Sequence, residues 1–213
     1  MPDFHALAQQ CAPFVHPVTM AAVARVESAF NPYAIGVVGG RLERQPVNMT
    51  EALATARALE AAGYNFSLGI GQVNRHNLSR YRLDYQAAFE PCANLRAASL
   101  ILKDCYDRAR GKGLADDSAL QAAFSCYYSG NFSTGFRPDF KGQPSYVQKV
   151  LDSAGGVSTT KAVPIRVIPT AKVTVTTTRR APHAFRMTAG TRDGPPVGPE
   201  GERLEGTSVM VYR

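Results

Sequence analysis

The chain has no tryptophan, no apolar run long enough to cross a bilayer, and no cysteine pair at metal-ligand spacing. Without tryptophan, the core must be built around ten Phe and nine Tyr. A transmembrane helix needs about 20 apolar residues, so none is expected. Cys11, Cys92, Cys105 and Cys126 stand far apart, so no zinc site is expected. The segment Gly69-Ile-Gly71 lacks both a third glycine and a preceding strand pattern, so it is not a dinucleotide fingerprint. Neither a metal nor a cofactor is implied. The start, Met1-Pro-Asp-Phe-His-Ala-Leu, lacks a basic segment followed by a long apolar one, so no signal peptide is visible.

The cysteine count is even. Two disulfides and an oxidising compartment are one reading, and four buried thiols are the other. If Cys92 and Cys105 lie on one helix they are roughly 20 Å apart at about 1.5 Å per residue. That exceeds the reach of a disulfide. The pairings left open are 11–92 with 105–126, or 11–105 with 92–126.

Net charge is +7, and its distribution is uneven. Residues 155–213 hold nine Lys/Arg against four Asp/Glu, and residues 1–154 hold fifteen against thirteen. The excess points to acidic or polyanionic surroundings. A nucleic-acid partner is not expected, because no basic helix face with interleaved aromatics stands out. Composition changes at Gly155-Gly156, after which Thr, Pro, Gly and Arg dominate. The expected organisation is one folded domain over 1–154 and a disordered basic tail over 155–213. Within the tail, the weak alternation over 163–176 could add a strand to a partner.

Helices are expected over 3–11 with Asp3 as N-cap, 17–29, 51–62 with Thr50 as N-cap, 93–110, 118–127 capped by Asp117 or Ser118, and 145–153. Residues 34–47 read as a small hairpin turning at Gly39-Gly40. Gly69 and Gly71, followed by Gln72 and Asn74, mark a close backbone approach, read as a tight turn entering a helix. The segment 124–132 is dense in hydroxyls and aromatics. That suits a sugar-binding wall, although the spacing of Tyr127 from Ala123 favours the core.

The helix over 17–29 carries the residue of greatest chemical interest. Its apolar face includes Val18, Ala21, Ala22 and Val26, and Asn31-Pro32 follows its end. Glu27 sits just before that end. The helix macrodipole disfavours a negative charge there, and partial burial raises a carboxyl pKa. Both favour a protonated acid near neutral pH, as a proton donor requires. An ordinary exposed helix-end glutamate is the competing reading.

Three segments then occur in order: Glu27-Ser28 with Phe30-Asn31-Pro32, Gly69-Ile-Gly71-Gln72-Val-Asn74, and Tyr127-Tyr128-Ser-Gly-Asn131. Over residues 10–152 they resemble the lytic transglycosylases of the goose-type lysozyme superfamily. The segments Cys11-Ala-Pro, Phe89-Glu-Pro-Cys-Ala-Asn-Leu95 and Tyr128-Ser-Gly-Asn-Phe132 are similar to the peptidoglycan-cleaving component of type IV secretion systems. The resemblance implies a mainly α, lysozyme-like α+β fold: a helical bundle with a small β-hairpin and a cleft. It implies Glu27 as catalytic acid, and Ser28, Gly69, Gly71, Gln72, Asn74, Tyr127, Tyr128 and Asn131 as residues that bind or shape the substrate site. Glycan strands of peptidoglycan are the implied substrate and the periplasm the implied location. Other secretion components are implied partners, reached through the tail.

Two positions depart from the resembled pattern. The frequent Tyr-Asn pair is Tyr127-Tyr128, so the asparagine's role is either unfilled or taken by Asn131. A serine often found nine residues after the glutamate is replaced by Gly36. A glycosidase usually needs two carboxylates, and Glu43 is the second candidate, with a solvated charge as its alternative. A single acid suffices where the substrate assists, as the resemblance implies. A hydrolytic lysozyme and a non-catalytic wall-binding assembly protein are the other functional classes consistent with these residues.

Overall fold

A computed structural model describes residues 4–155. Seven helices and three short strands follow in the order α1 (Phe4–Cys11), α2 (Pro17–Ser28), β1 (Ile35–Val37), α3 (Met49–Ala61), β2 (Phe66–Leu68), β3 (Val73–Asn74), α4 (Tyr85–Phe89), α5 (Pro91–Gly111), α6 (Asp116–Ser129) and α7 (Tyr146–Ala154). Short 3-10 turns occupy Arg75–Asn77, Ser79–Tyr81 and Thr134–Phe136. The mainly helical, lysozyme-like architecture expected of the sequence is present. The tail expected over 155–213, apart from Gly155, and the cap at Asp3 lie outside the described residues.

The helices follow local rules. Pro17 and Pro91 open α2 and α5, where a missing N–H costs nothing. On α5, Leu95, Ala98, Leu102, Cys105 and Ala109 are buried at helical spacing. Ser145 caps α7 by accepting from Gln148 N. Two caps differ from expectation. Asn48 rather than Thr50 caps α3, accepting from Glu51 N at 2.9 Å. Position 115 rather than Asp117 or Ser118 precedes α6, and Asp116 and Asp117 fall in its first turn, where the macrodipole favours acids.

The hairpin expected at 34–47 does not form. Gly39 turns the chain with φ +72°, but β1 pairs with β2 instead, placing Ile35 opposite Leu68 and Val37 opposite Phe66. β2 then pairs with β3, giving a three-stranded antiparallel sheet in the order β1-β2-β3. Two physical reasons stand out. Phe66, Ser67 and Leu68 are all buried, so β2 offers β1 a dry partner. Pro46 has no N–H to give a ladder. The side chain of Gln45 replaces the missing strand: its Oε1 accepts from Ile35 N at 2.8 Å and its Nε2 donates to Ile35 O at 3.1 Å. The Gly69–Gly71 segment is thus a turn between two strands, not a helix entrance.

The cysteines form Cys11–Cys92 and Cys105–Cys126, which closes the choice of pairings. The first joins the end of α1 to the start of α5 across 81 residues, and the second joins α5 to α6 across 21. Chain-entropy arguments give about 4.5 and about 3.3 kcal/mol for loops of these lengths. One core gathers Met20 and Val23 from α2, Leu68 from β2, Leu95 and Leu102 from α5, and Phe124 and Tyr127 from α6. Tyr127, Phe66, Phe89 and Phe124 are the largest of its fully buried side chains. Among the described residues no helix is long and apolar enough to cross a membrane.

Candidate active site

Glu27 is the last residue but one of α2. The helix ends on two non-glycine residues in left-handed conformation, Ala29 at φ 50° and Phe30 at φ 65°. Such backbone is costly and persists where its surroundings impose it. Here the Ala29 N–H donates to Arg25 O and the Phe30 N–H to Ala24 O, which closes the helix. The Phe30 ring is held between Phe4, 4.8 Å away between centroids, and the Arg25 guanidinium, 5.0 Å from its centre. Burial pushes the Glu27 carboxyl up to about 8. Desolvation is the leading cause. The Tyr146 hydroxyl donates to Glu27 Oε1 at 2.5 Å and pulls in the opposite direction, because it stabilises the charged form.

The turn Gly69–Gln72 lies against the end of α2 that carries Glu27. Ser28 Oγ donates to Ile70 O at 2.7 Å and ties the end of α2 to this turn. Asn94 of α5 fixes it from behind. Its Oδ1 accepts from Gly71 N at 2.7 Å, and its Nδ2 donates to Leu68 O at 2.9 Å and Ala88 O at 2.7 Å. Tyr127, 1% exposed, donates its hydroxyl to Gly71 O at 2.5 Å. Gln72 Nε2 donates to Ala34 O at 3.0 Å and to Gly69 O at 2.9 Å. Gly69 is required here: its φ is +76°, and a β-carbon would stand 2.3 Å from Ala88 O. At Gly71 a β-carbon would stand 2.7 Å from that of Ala98.

The same contacts account for Gly36. A β-carbon there would lie 2.6 Å from Gln72 Oε1. The space that a serine would fill is taken by the amide of Gln72.

A second set of contacts comes from α6 and α7. The Tyr128 ring stacks on Tyr146, with centroids 4.6 Å apart and planes 16° from parallel. Tyr128 donates its hydroxyl to Asp139 Oδ1 at 2.6 Å, and Lys149 Nζ is 3.7 Å from Asp139 Oδ2. Burial first, then Asp139, holds the Tyr128 phenol well above its ordinary range.

The sequence-predicted residues therefore separate into groups. Ser28, Gly69, Gly71, Gln72 and Tyr127 meet at one turn beside the end of α2. Tyr128 reaches Glu27 through Tyr146. Asn74 and Asn131 serve local turns. Asn74 bonds Asn65 and Ser67 and caps the Arg75–Asn77 turn, and Asn131 Oδ1 accepts from Ser133 N and Thr134 N. The segment 124–129 is buried, so it is core rather than an open sugar-binding wall. Glu43 is exposed, in a surface depression with Arg44, Glu51 and Thr55. Asn94 and Tyr146 escaped the sequence reading. Asn94 looks like a polar residue on an amphipathic helix. Tyr146 is 119 residues from Glu27, and its only local signal is an aromatic at the start of the last helix.

The stretch 5–137, which contains Glu27, the Gly69–Gln72 turn and Tyr127-Tyr128, matches the transglycosylase SLT domain. The chain belongs to the SLT transglycosylase family. Tyr146 lies beyond the matched stretch of this SLT transglycosylase, so α7 adds to the acid a partner from outside it. Among its relatives is the type IV secretion system protein virB1 of Brucella suis, 61% identical over 170 residues, which cover 79% of this chain and 69% of the relative. The Brucella abortus protein of the same name shows the same identity and coverage. The protein virB1 of Agrobacterium fabrum is 34% identical over 156 residues, 71% of this chain and 59% of that protein. No solved structure matches the chain.

Proposed function

We propose that this SLT transglycosylase cleaves the β-1,4 bond between N-acetylmuramic acid and N-acetylglucosamine in peptidoglycan, without water, leaving 1,6-anhydro-muramic ends. The observation that carries the reading is Glu27: a carboxyl raised to about 8 by burial, gripped by Tyr146, at the end of a strained helix. At neutral pH it holds the proton that a leaving glycosidic oxygen needs.

In the first step Glu27 gives its proton to the glycosidic oxygen as the C1–O bond breaks. The N-acetyl carbonyl of the muramic residue supports C1 from the opposite face. In the second step the muramic 6-hydroxyl attacks C1 and its proton goes to the Glu27 carboxylate. The acid is restored and no water is consumed. One carboxyl therefore serves both steps. Asp139 is bonded by Tyr128 and faces Lys149, and Glu43 lies at the exposed surface. Ser28, Gly69, Gly71 and Tyr127 shape the turn along which the glycan lies. Gln72 faces the sugar from that turn. Asn74, Tyr128 and Asn131 support its borders.

Resemblance to the virB1 proteins supports a role in type IV secretion, with local opening of the wall as the contribution of this enzyme. Two disulfides suit a periplasmic setting. The basic tail is the segment proposed to engage other secretion components.

Digestion of purified peptidoglycan by the wild type and by Glu27→Gln, with mass analysis of the fragments, tests this. Anhydro ends, lighter than reducing ends by one water, are expected from the wild type and are lost in the variant. Reducing ends would make the enzyme a hydrolytic lysozyme. Equal cleavage by both proteins would remove Glu27 as the catalytic acid, and no cleavage by either would leave a wall-binding role.

A further inference from the structure

Four side chains form a closed circuit behind the Glu27 carboxyl. Tyr146, the first residue of α7, donates to Glu27 Oε1. Its ring lies on that of Tyr128 from α6. Tyr128 is anchored at its far end by the hydrogen bond to Asp139 Oδ1. Asp139 Oδ2 faces Lys149 Nζ, and Lys149 stands one turn along α7 from Tyr146. The circuit thus returns to the helix on which it began.

The arrangement has a mechanical consequence. Stacked rings at this separation interlock, so one cannot tilt without moving the other. Tyr128 is itself 3% exposed, and a charge-assisted hydrogen bond fixes its hydroxyl end. The position of the Tyr146 hydroxyl at Glu27 then depends on a bond made on the far side of the neighbouring ring. We propose that Tyr128, anchored by Asp139, is a positioning residue for Glu27, setting where the Tyr146 hydroxyl meets the carboxyl.

The proposal rests on Glu27 as the group that moves the proton. The ionisable groups around that carboxyl are few. α7 presents Tyr146 and also carries Lys149, engaged with Asp139, and Asp152, bonded by Gln148. α6 presents Tyr128, whose phenol responds to the charge of Glu27. α1 carries His5, which is exposed, and α2 itself carries Arg25, which lies over Phe30.

The test follows the Glu27 carboxyl carbon by NMR titration of the full chain, assigned by its loss in Glu27→Gln, beside the pH profile of peptidoglycan cleavage. Tyr146→Phe should raise the Glu27 midpoint by about one unit or more, since a hydrogen bond to the charged form is lost. Tyr128→Phe keeps the ring and its stack and loses the anchor. It should raise the midpoint by roughly half a unit, and add nothing once Tyr146 is already Phe. Asp139→Asn and Asp139→Leu remove the same charge, but only Asn leaves an acceptor for Tyr128. The Leu variant should titrate higher than the Asn variant, and this pair decides the matter if Tyr128→Phe does not fold. The proposal is overturned if Tyr128→Phe titrates like the wild type, if its shift adds in full to that of Tyr146→Phe, or if the two Asp139 variants titrate alike. Midpoints that move as expected while the cleavage profile stays put support the anchoring and overturn Glu27 as the catalytic acid.

Discussion

The two sides of the candidate site are built from different chemistry. The Gly69–Gln72 side is held by main-chain groups, two side-chain amides, a serine and the buried Tyr127 hydroxyl. Its bonds keep their strength across the pH range in which Glu27 titrates. The α6–α7 side is made of two phenols, a carboxylate and an ammonium, linked in sequence to Glu27 itself. In the proposed reading, one side fixes the shape of the site and the other adjusts how firmly Glu27 holds its proton. Substitutions on the first should cost stability and leave the pH response alone. Substitutions on the second should do the reverse.

Glu27→Gln should have the largest effect, since this carboxyl is the proposed acid. Loss of a positioned proton-transfer group costs about 10²–10⁴ in rate, and in the proposed reaction one group serves both steps. The same variant should gain stability with rising pH. The folded protein holds the Glu27 proton up to about 8, against 4.5 for an ordinary glutamate. Below pH 4.5 the group is protonated in both folded and unfolded chains and contributes nothing. Between 4.5 and about 8 the unfolded chain ionises first, so the wild type loses stability, by at most ~1.4 kcal/mol per pH unit. Denaturant unfolding at pH 5 and pH 8 should show the advantage of the variant growing across that window. A constant difference would mean that Glu27 ionises normally.

Asn94→Ala attacks the first side. It strands Gly71 N, Leu68 O and Ala88 O without their partner. A loss of ~3 kcal/mol in unfolding free energy is expected, with the alkaline limb of the activity profile unmoved at about 8. A limb that shifted with Asn94 would break the division between the two sides.

Tyr146→Phe attacks the second. Its hydroxyl favours the ionised carboxylate, so removing it should carry the alkaline limb upward by about one unit while stability changes by only ~1 kcal/mol. A pH–rate series on peptidoglycan reads the limb directly.

Gly36→Ala should have the smallest effect. The new methyl would stand 2.6 Å from Gln72 Oε1, so the end of that side chain, held by two hydrogen bonds, must move aside. A cost of roughly 1 kcal/mol and a rise in KM larger than the fall in kcat are expected. An unchanged KM would mean that Gln72 does not touch the glycan.

Much of the scaffold was legible residue by residue. Six helices lie within a turn of where they are expected, and the apolar spacing along α5 buries the side it predicts. The strands were not legible, because β1, β2 and β3 hold three, three and two residues, too few to display an alternation. A segment as short as Ile35–Val37 chooses its partner by burial, and Phe66–Leu68 is drier than anything in 40–47. The site was half legible. Glu27, Gly69, Gln72 and Tyr127 carry local signals of turn, cap or spacing. Asn94 and Tyr146 carry none, since what they do depends on atoms distant in the chain.

Six of the seven described helices, with boundaries to within a turn, and the presence of one suspicious glutamate follow from local chemistry: propensity, capping, and the punctuation of proline and glycine. The tertiary structure alone decided which cysteines join, which strand β1 meets, and that Glu27 is an acid able to keep its proton near neutral pH. Those outcomes depend on desolvation and on contacts across 81 residues for a disulfide and 119 for a hydroxyl. No window of sequence contains either distance.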